Sequence, residues 1–330
     1  MRICIKSCTA IEWVLVILLV VFALISLGAG ASGASLYAVL SDVLRGENTA
    51  AARIFRYIRL PRTFAAMLAG SALACSGVLI QGVLGNPLAS PNLIGVNAGA
   101  GLSALLVACF FPTAAAILPF AAFVGAMAAS LLILLLTGRG ASRLTVILAG
   151  VAISAIFSAA SDCITTLYPE SAVHATGFLI GSFSGLSAQK LRMAAWYILP
   201  ALAVSACMAK PLDALLLGDE TAQALGMRVK AMRVFLLMLA SVLAGAAVSF
   251  AGLLGFVGLL VPHAVRRMTG AEHRKVLPIS MLMGALLVLV CDLLCRTAFA
   301  PHELPVGIFL SLTGAPFFLI LLLRAKREGL

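Results

Sequence analysis

The sequence specifies an all-α integral membrane protein of about ten transmembrane helices, and three observations lead there. Of 330 residues, 62% are hydrophobic and only 11% are charged, about half the charged share of a soluble domain. Apolar runs of about 20 residues recur from end to end, each long enough for a hydrocarbon core about 30 Å thick. The alternating segments of about ten residues that build a transmembrane β-barrel are absent.

Charges and Gly/Pro clusters divide the chain into spans at 12–29, 63–82, 93–110, 115–137, 145–166, 192–209, 232–251, 256–267, 277–298 and 306–323. The first run keeps about 16 apolar residues before Gly28, whereas the core of a signal peptide is about 7–15 residues and ends at a cleavage site. It therefore reads as a retained first helix. The span at 256–267 is too short to cross alone at about 1.5 Å per residue, so it borrows from its neighbours or begins inside the membrane. The eight cysteines form no CxxC pair and read as small hydrophobes rather than metal ligands.

An even number of spans puts both termini on one side. With the termini in the cytoplasm, 15 of the 23 Lys and Arg residues fall inside, as the positive-inside rule requires. Five of the eight others, Arg45, Arg53, Arg56, Arg59 and Arg62, crowd into one outer loop. The net charge of +11 therefore follows membrane topology and implies no nucleic-acid partner.

Residues 68–87 and 243–262 match without a gap at 8 of 20 positions, including Gly70/Gly245, Gly77/Gly252 and Pro87/Pro262. The units begin at the second and seventh spans, an odd number apart, so they cross the membrane in opposite directions. Inverted repeats with Gly- and Pro-interrupted segments mark transporters, with the pathway at the repeat interface. The chain reads as one transmembrane domain over 1–330, with a first repeat at about 62–166, a second at about 232–323, and a cytoplasmic loop at 210–231.

Four stretches, "RLPRTFAAMLAGSALACSGVLIQGVLGNPLASPNLIGVNAGAG", "LLLGDETAQALGM", "GLLGFVGLLVPHAVRRMTGAEHRKVLPIS" and "ELPVGIFLSLTGAPFFLILLL", resemble the FecCD-type permeases in that family's order. These are the membrane subunits of ABC importers for iron–siderophore, haem and cobalamin. The resemblance implies a fold like that of the cobalamin-importer permease and a second permease subunit, identical or paralogous. It also implies two cytoplasmic ATPase subunits and an extracytoplasmic binding protein. An Fe(III)–siderophore is the expected cargo, with haem or cobalamin as alternatives. The residues agree with that division of labour. No GxxxxGK[ST] loop is present to cradle ATP phosphates, so ATP and Mg²⁺ belong to the partner subunits and this chain binds no cofactor or metal. A secondary transporter or channel, the rival from another class, would carry ionisable residues in mid-helix. Only Asp162 and Asp292 come close, both near outer helix ends, and Asp292 sits four residues before Arg296, an ion-pair spacing.

By resemblance, Arg59 and Arg62 of "RLPR", together with Arg296, receive acidic side chains of the binding protein. Arg56 lies just outside the motif. The other reading of all four is interfacial arginines that snorkel to lipid phosphate. By resemblance too, Gly218, Asp219, Glu220, Thr221, Ala222, Leu225 and Gly226 form a coupling helix that docks on the ATPase. Its acids sit at the helix start, where the dipole favours them, and Gly226 stops it. The reversal with Asn86, Pro87, Asn92 and Asn97 lines the pathway in such permeases, or serves only in packing. Ser142, Arg143 and Thr145 fall where relatives place an inner gate. Glu303 is expected to cap the last helix.

Overall fold

The computed structural model describes residues 2–28, 49–137, 142–298 and 302–327; Arg45 and Arg139 lie outside them. Each of the ten expected spans holds a helix. In chain order these are α1 (Arg2–Gly28), α2 (Ala50–Ile54), α3 (Leu60–Leu84), α4 (Val96–Phe110), α5 (Leu118–Thr137), α6 (Arg143–Leu167) and α7 (Pro169–Ile180). They continue with α8 (Ala188–Ala206), α9 (Ala209–Leu216), α10 (Asp219–Ala224), α11 (Val229–Ala251), α12 (Val257–Thr269), α13 (His273–Thr297) and α14 (Val306–Arg327). No strand occurs among the described residues.

Between α2 and α3 the chain stays helical through a wider π turn, Phe55–Arg59, where the Leu60 N–H bonds to the Phe55 carbonyl. The cause is Pro61 in the first turn of α3. It lacks the N–H that an unbroken α-helix needs there, and a π turn absorbs the misfit. Arginines three residues apart also step back about 60° around a helix at each interval. The ladder therefore winds around its helix: Arg53 and Arg56 are exposed, and Arg59 and Arg62 are buried.

Helix α3 is the centre of the bundle. It is flanked by α13, α11, α12 and α8, and eight of its 25 residues are Ala or Gly. At Gly70 an added Cβ would lie 2.6 Å from the carbonyl carbon of Gly284 on α13, and at Gly77 it would lie 2.6 Å from that of Gly258 on α12. Two helices therefore meet α3 backbone to backbone, the small-residue packing that membrane helices favour. Gly77 stays inside α3, whereas Gly252, its match in the second repeat, ends α11 at φ 72°.

Among the described residues, six helices are long and apolar enough to cross a membrane unaided, or seven if α8 and α9, bent by 57°, count as one span. Helix α12, with 13 residues, is indeed short. The segment 252–256 ahead of it is held inside the protein: the Leu253 N–H donates to the Phe178 carbonyl at 3.0 Å. Irregular backbone at membrane depth persists only where protein or a watery cavity surrounds it. Phe256 starts α12 at φ 65°, the only non-glycine with positive φ among the described residues, and its ring fills the notch at Gly314 of α14.

Gly77→Ala is expected to force α12 off α3, destabilising the protein by about 1–3 kcal/mol or more. Gly101→Ala, whose Cβ meets only side chains at 3.4 and 3.5 Å, is expected to be tolerated. Thermal unfolding of the two variants in detergent, side by side, checks this.

Candidate functional site

The polar side chains of this apolar bundle gather in three places. The first lies where α1, α3 and α13 end together. Asp292, with no exposed surface, accepts from Arg62 Nε at 3.0 Å and 3.2 Å. Arg62 Nη1 donates to Glu303 Oε2 at 2.7 Å. Arg296 Nε stands 3.5 Å from the other Asp292 oxygen, and its Nη2 donates to the Ser26 carbonyl at 2.7 Å. Ser26 in turn shares a hydrogen bond with Thr63 at 2.7 Å. Arg59 Nη1 donates to the carbonyls of Leu27 and Gly28 at 3.0 and 2.9 Å, the orphan acceptors at the end of α1.

Three of the four arginines expected to meet a partner are thus 5–6% exposed, with donors engaged inside the chain. Arg56 is the exposed one. The i,i+4 pairing of Asp292 with Arg296 is present. The expectation that Glu303 caps the last helix is corrected: α14 begins only at Val306, and the Glu303 carboxylate turns to Arg62, the nearer full charge.

The second place is the buried Gln81 of α3. Its Nε2 donates to the carbonyls of Ala89 and Gly258 at 3.1 and 3.3 Å, and its Oε1 accepts from Arg266 of α12. One side chain therefore straps the 85–91 reversal onto two helices. Within that reversal Asn86 Oδ1 accepts from the Leu88 N–H at 2.9 Å, an Asx turn. Pro87 and Asn92 are exposed, and Asn97 on α4 is half-buried. Ser142 caps α6 by accepting from the Thr145 N–H at 3.1 Å; both residues are exposed. The Arg143 side chain lies outside the described ones.

The third place is the segment between α8 and α11. Helix α10 runs Asp219–Ala224, with Asp219 and Glu220 in its first turn. Gly218 (φ 102°) and Gly226 (φ 84°) bracket it, each in a conformation that L side chains rarely adopt. Ala222 is buried, while Thr221 and Glu220 are exposed. Leu217 and Leu225, on either side of α10, are 66% and 68% exposed. Asp219 pairs with Arg233 of α11 at 2.5 Å. Just upstream, Asp213 of α9 accepts from the His273 N–H at 3.0 Å and pairs with the ring Nδ1 at 2.7 Å. Among the described residues no three His, Cys, Asp or Glu side chains group to hold a metal ion.

Residues 18–324 match the FecCD transport family. The chain belongs to that family. It is 37% identical over 317 residues to the Fe(3+)-citrate import system permease protein YfmE of Bacillus subtilis, covering 96% of this chain and 95% of that one. It is 39% identical over 329 residues to the hemin transport system permease protein HmuU of Yersinia pestis, covering 95% of each. A solved metal-chelate type ABC transporter in an inward-facing conformation is similar at a TM-score of 0.86 and 30% identity, over 96% of this chain and 99% of that one.

In this FecCD-family chain, Gln81, Asp213, Arg233 and His273 escaped the sequence reading. Their partners lie 185, 60, 14 and 60 residues away in the chain, in that order. A Gln inside the apolar second span was the one available signal, because an amide at membrane depth needs partners.

Arg62→Ala leaves the Asp292 carboxylate buried without the Arg62 Nε that donates to both its oxygens. It is expected to cost about 3–5 kcal/mol, whereas Arg56→Ala, a surface change, stays within about 0.5 kcal/mol. Thermal unfolding in the same detergent separates the two.

Proposed function

We propose that this chain is the permease subunit of a binding-protein-dependent ABC importer for a ferric chelate. What carries the reading is the similarity over almost the whole chain to permease proteins of import systems for Fe(3+) citrate and, in another relative, hemin. In that reading the chain makes and breaks no covalent bond. It supplies one half of an apolar passage, completed by a second permease subunit in a bacterial inner membrane. Both termini lie in the cytoplasm, and the reversal at Asn92 and Asn97, with Ser142, Arg143 and Thr145, borders the passage.

Two surfaces take the partners. The α10 segment meets the ATPase: Leu217 and Leu225 stand out of a cytoplasmic loop as two apolar anchors, where burial of each contributes about 1.5–3 kcal/mol, and bracketing glycines fix the turn between them. The arginine end meets the binding protein. There, among the described residues, Arg59, Arg62 and Arg296 gather with Asp292 and Glu303, and the exposed Arg53 and Arg56 set a cationic field at the same end of the chain's helices. Such a field attracts acidic side chains from a distance, and its main effect is on encounter rate and orientation, because each exposed pair contributes only about 0.2–1 kcal/mol.

The test is reconstitution in liposomes with an ATPase and a binding protein, following ⁵⁵Fe from ferric dicitrate. Uptake is expected only with all three components and ATP. Uptake by this chain alone without ATP would make it a secondary transporter or channel, and transport of hemin or cobalamin in place of the ferric chelate would reassign the cargo. Leu225→Asp is expected to abolish co-purification of the ATPase with unchanged thermal stability. Arg56→Glu is expected to slow association of the binding protein several-fold at low salt, a difference that fades as salt rises.

A further inference from the structure

Helix α13 carries a polar fixture at each end. At its far end Asp292 and Arg296 belong to the arginine cluster. At its start, its own N-cap residue, Glu272, makes no side-chain capping bond. Asp213, from a different segment, does that work: one carboxylate oxygen accepts both the His273 N–H at 3.0 Å and the ring Nδ1 at 2.7 Å. An anionic acceptor is what the positive end of a helix takes best. The His273 ring is fully buried and lies against α3 at Gly82. A Cβ there would stand 3.2 Å from Nε2 and 2.7 Å from a methyl of Leu212. The missing side chain of Gly82 is therefore the seat of both Leu212 and His273.

The segment bearing Asp213 is not a rigid extension of the helix before it. Helix α9 turns away from α8 by 57°. It is tied to the bundle by Leu212 and Asp213, and the following α10 is tied by Asp219 to Arg233 of α11. Of these ties, Leu212 rests by apolar contact, which resists sliding weakly, whereas the Asp213 bonds are directional and charge-assisted, about twice the strength of neutral ones. Helix α11 has no ion pair at its far end among the described residues, and α3, which also runs from the seat of Leu212 at Gly82 to Arg62, meets α9 by apolar contact; α13 is the helix that joins a charge-assisted tie to α9 with the arginine cluster. From His273 to Asp292 it spans about 28 Å at 1.5 Å per residue.

We infer that Asp213 is a positioning residue that passes displacement of the α9–α10 segment into α13 and so to the arginine cluster, coupling the ATPase-facing and binding-protein-facing ends. This rests on the importer reading and on ATPase docking at α10. Without the Asp213 charge, α10 is still held by Asp219 and Arg233, so the ATPase still binds and hydrolyses, but α13 no longer follows the segment. Coupling between two sites acts in both directions, so the signal from binding protein to ATPase weakens with the signal from ATPase to passage.

The experiment uses the complete complex in lipid nanodiscs and measures ATP hydrolysis with and without the binding protein. Asp213→Asn is expected to keep basal hydrolysis within twofold of wild type and to lose stimulation by the binding protein at least fivefold, with Asp213→Glu restoring part of it. His273→Gln, which keeps the main-chain bond and removes the ring, is expected to fall between and serves if Asp213→Asn accumulates poorly. Wild-type stimulation in Asp213→Asn and His273→Gln would overturn the inference. So would loss of the ATPase from either complex, because the pair would then only shape the docking segment. Leu225→Asp, in parallel, tests the docking reading by itself: an ATPase that stays bound there refutes docking at α10, whatever Asp213 does.

Discussion

Backbone contact between α3 and its two neighbours, at Gly70–Gly284 and Gly77–Gly258, is the constraint on which the remaining architecture depends. In a bilayer, apolar side chains gain little by leaving lipid for protein, so helices associate through close packing and hydrogen bonds. With no Cβ at the crossings, α12 and α13 come near enough for short polar side chains to reach between helices. Ser71 Oγ donates to the Met281 carbonyl of α13 at 2.9 Å, a bond that larger residues at the crossings would pull apart. The same closeness sets α13 firmly against α3, which gives meaning to anything attached at the two ends of α13.

Polar groups inside such a bundle are costly unless engaged; Ser154 Oγ, Ser280 Oγ and the Nε2 atoms of His263 and His273 have no hydrogen-bond partner among the described residues, but several others are engaged across elements. Gln81 reaches the 85–91 reversal and α12; Asp292 reaches α3; Arg296 and Arg59 reach the end of α1; Asp213 reaches α13. Each joins segments distant in the chain, so each defines a relative position as well as contributing energy. A leucine in any of these places would hold its neighbour by area alone and permit sliding.

The helical spans were legible because a stretch of apolar residues about 20 long has one cheap solution in lipid. The short helix with acids in its first turn and glycines on both sides was legible because its signals are local: Asp219, Glu220, Gly218 and Gly226 need nothing distant. The burial of Arg59 and Arg62 was not, although its cause, Pro61 beside a three-residue repeat, stands in the sequence; equal spacing suggests one face, and the 3.6-residue period denies it. Glu303 was read as a cap because nearby backbone donors are visible in sequence, whereas Arg62, 241 residues away, is not. Asp213 and His273 lay hidden for the same reason, whereas the 57° bend between α8 and α9 at Cys207–Met208 has a local signal in Pro211, which lacks the N–H that an unbroken helix would donate to the Cys207 carbonyl.

The arginine ladder places one residue type in two roles, and the helix geometry decides which. Arg53 and Arg56 remain in water, where a charge acts at a distance and is screened by salt. Arg59 and Arg62 are turned inward, where a guanidinium's fixed fork of donors holds carboxylates and carbonyls in place. A guanidinium set in apolar surroundings acts over a distance more strongly than one in water, so the inward arginines contribute to the field of the exposed ones. In the proposed reading, the scaffold and the surface offered to the binding protein are therefore built of the same residues, and a change that loosens the first also alters the second.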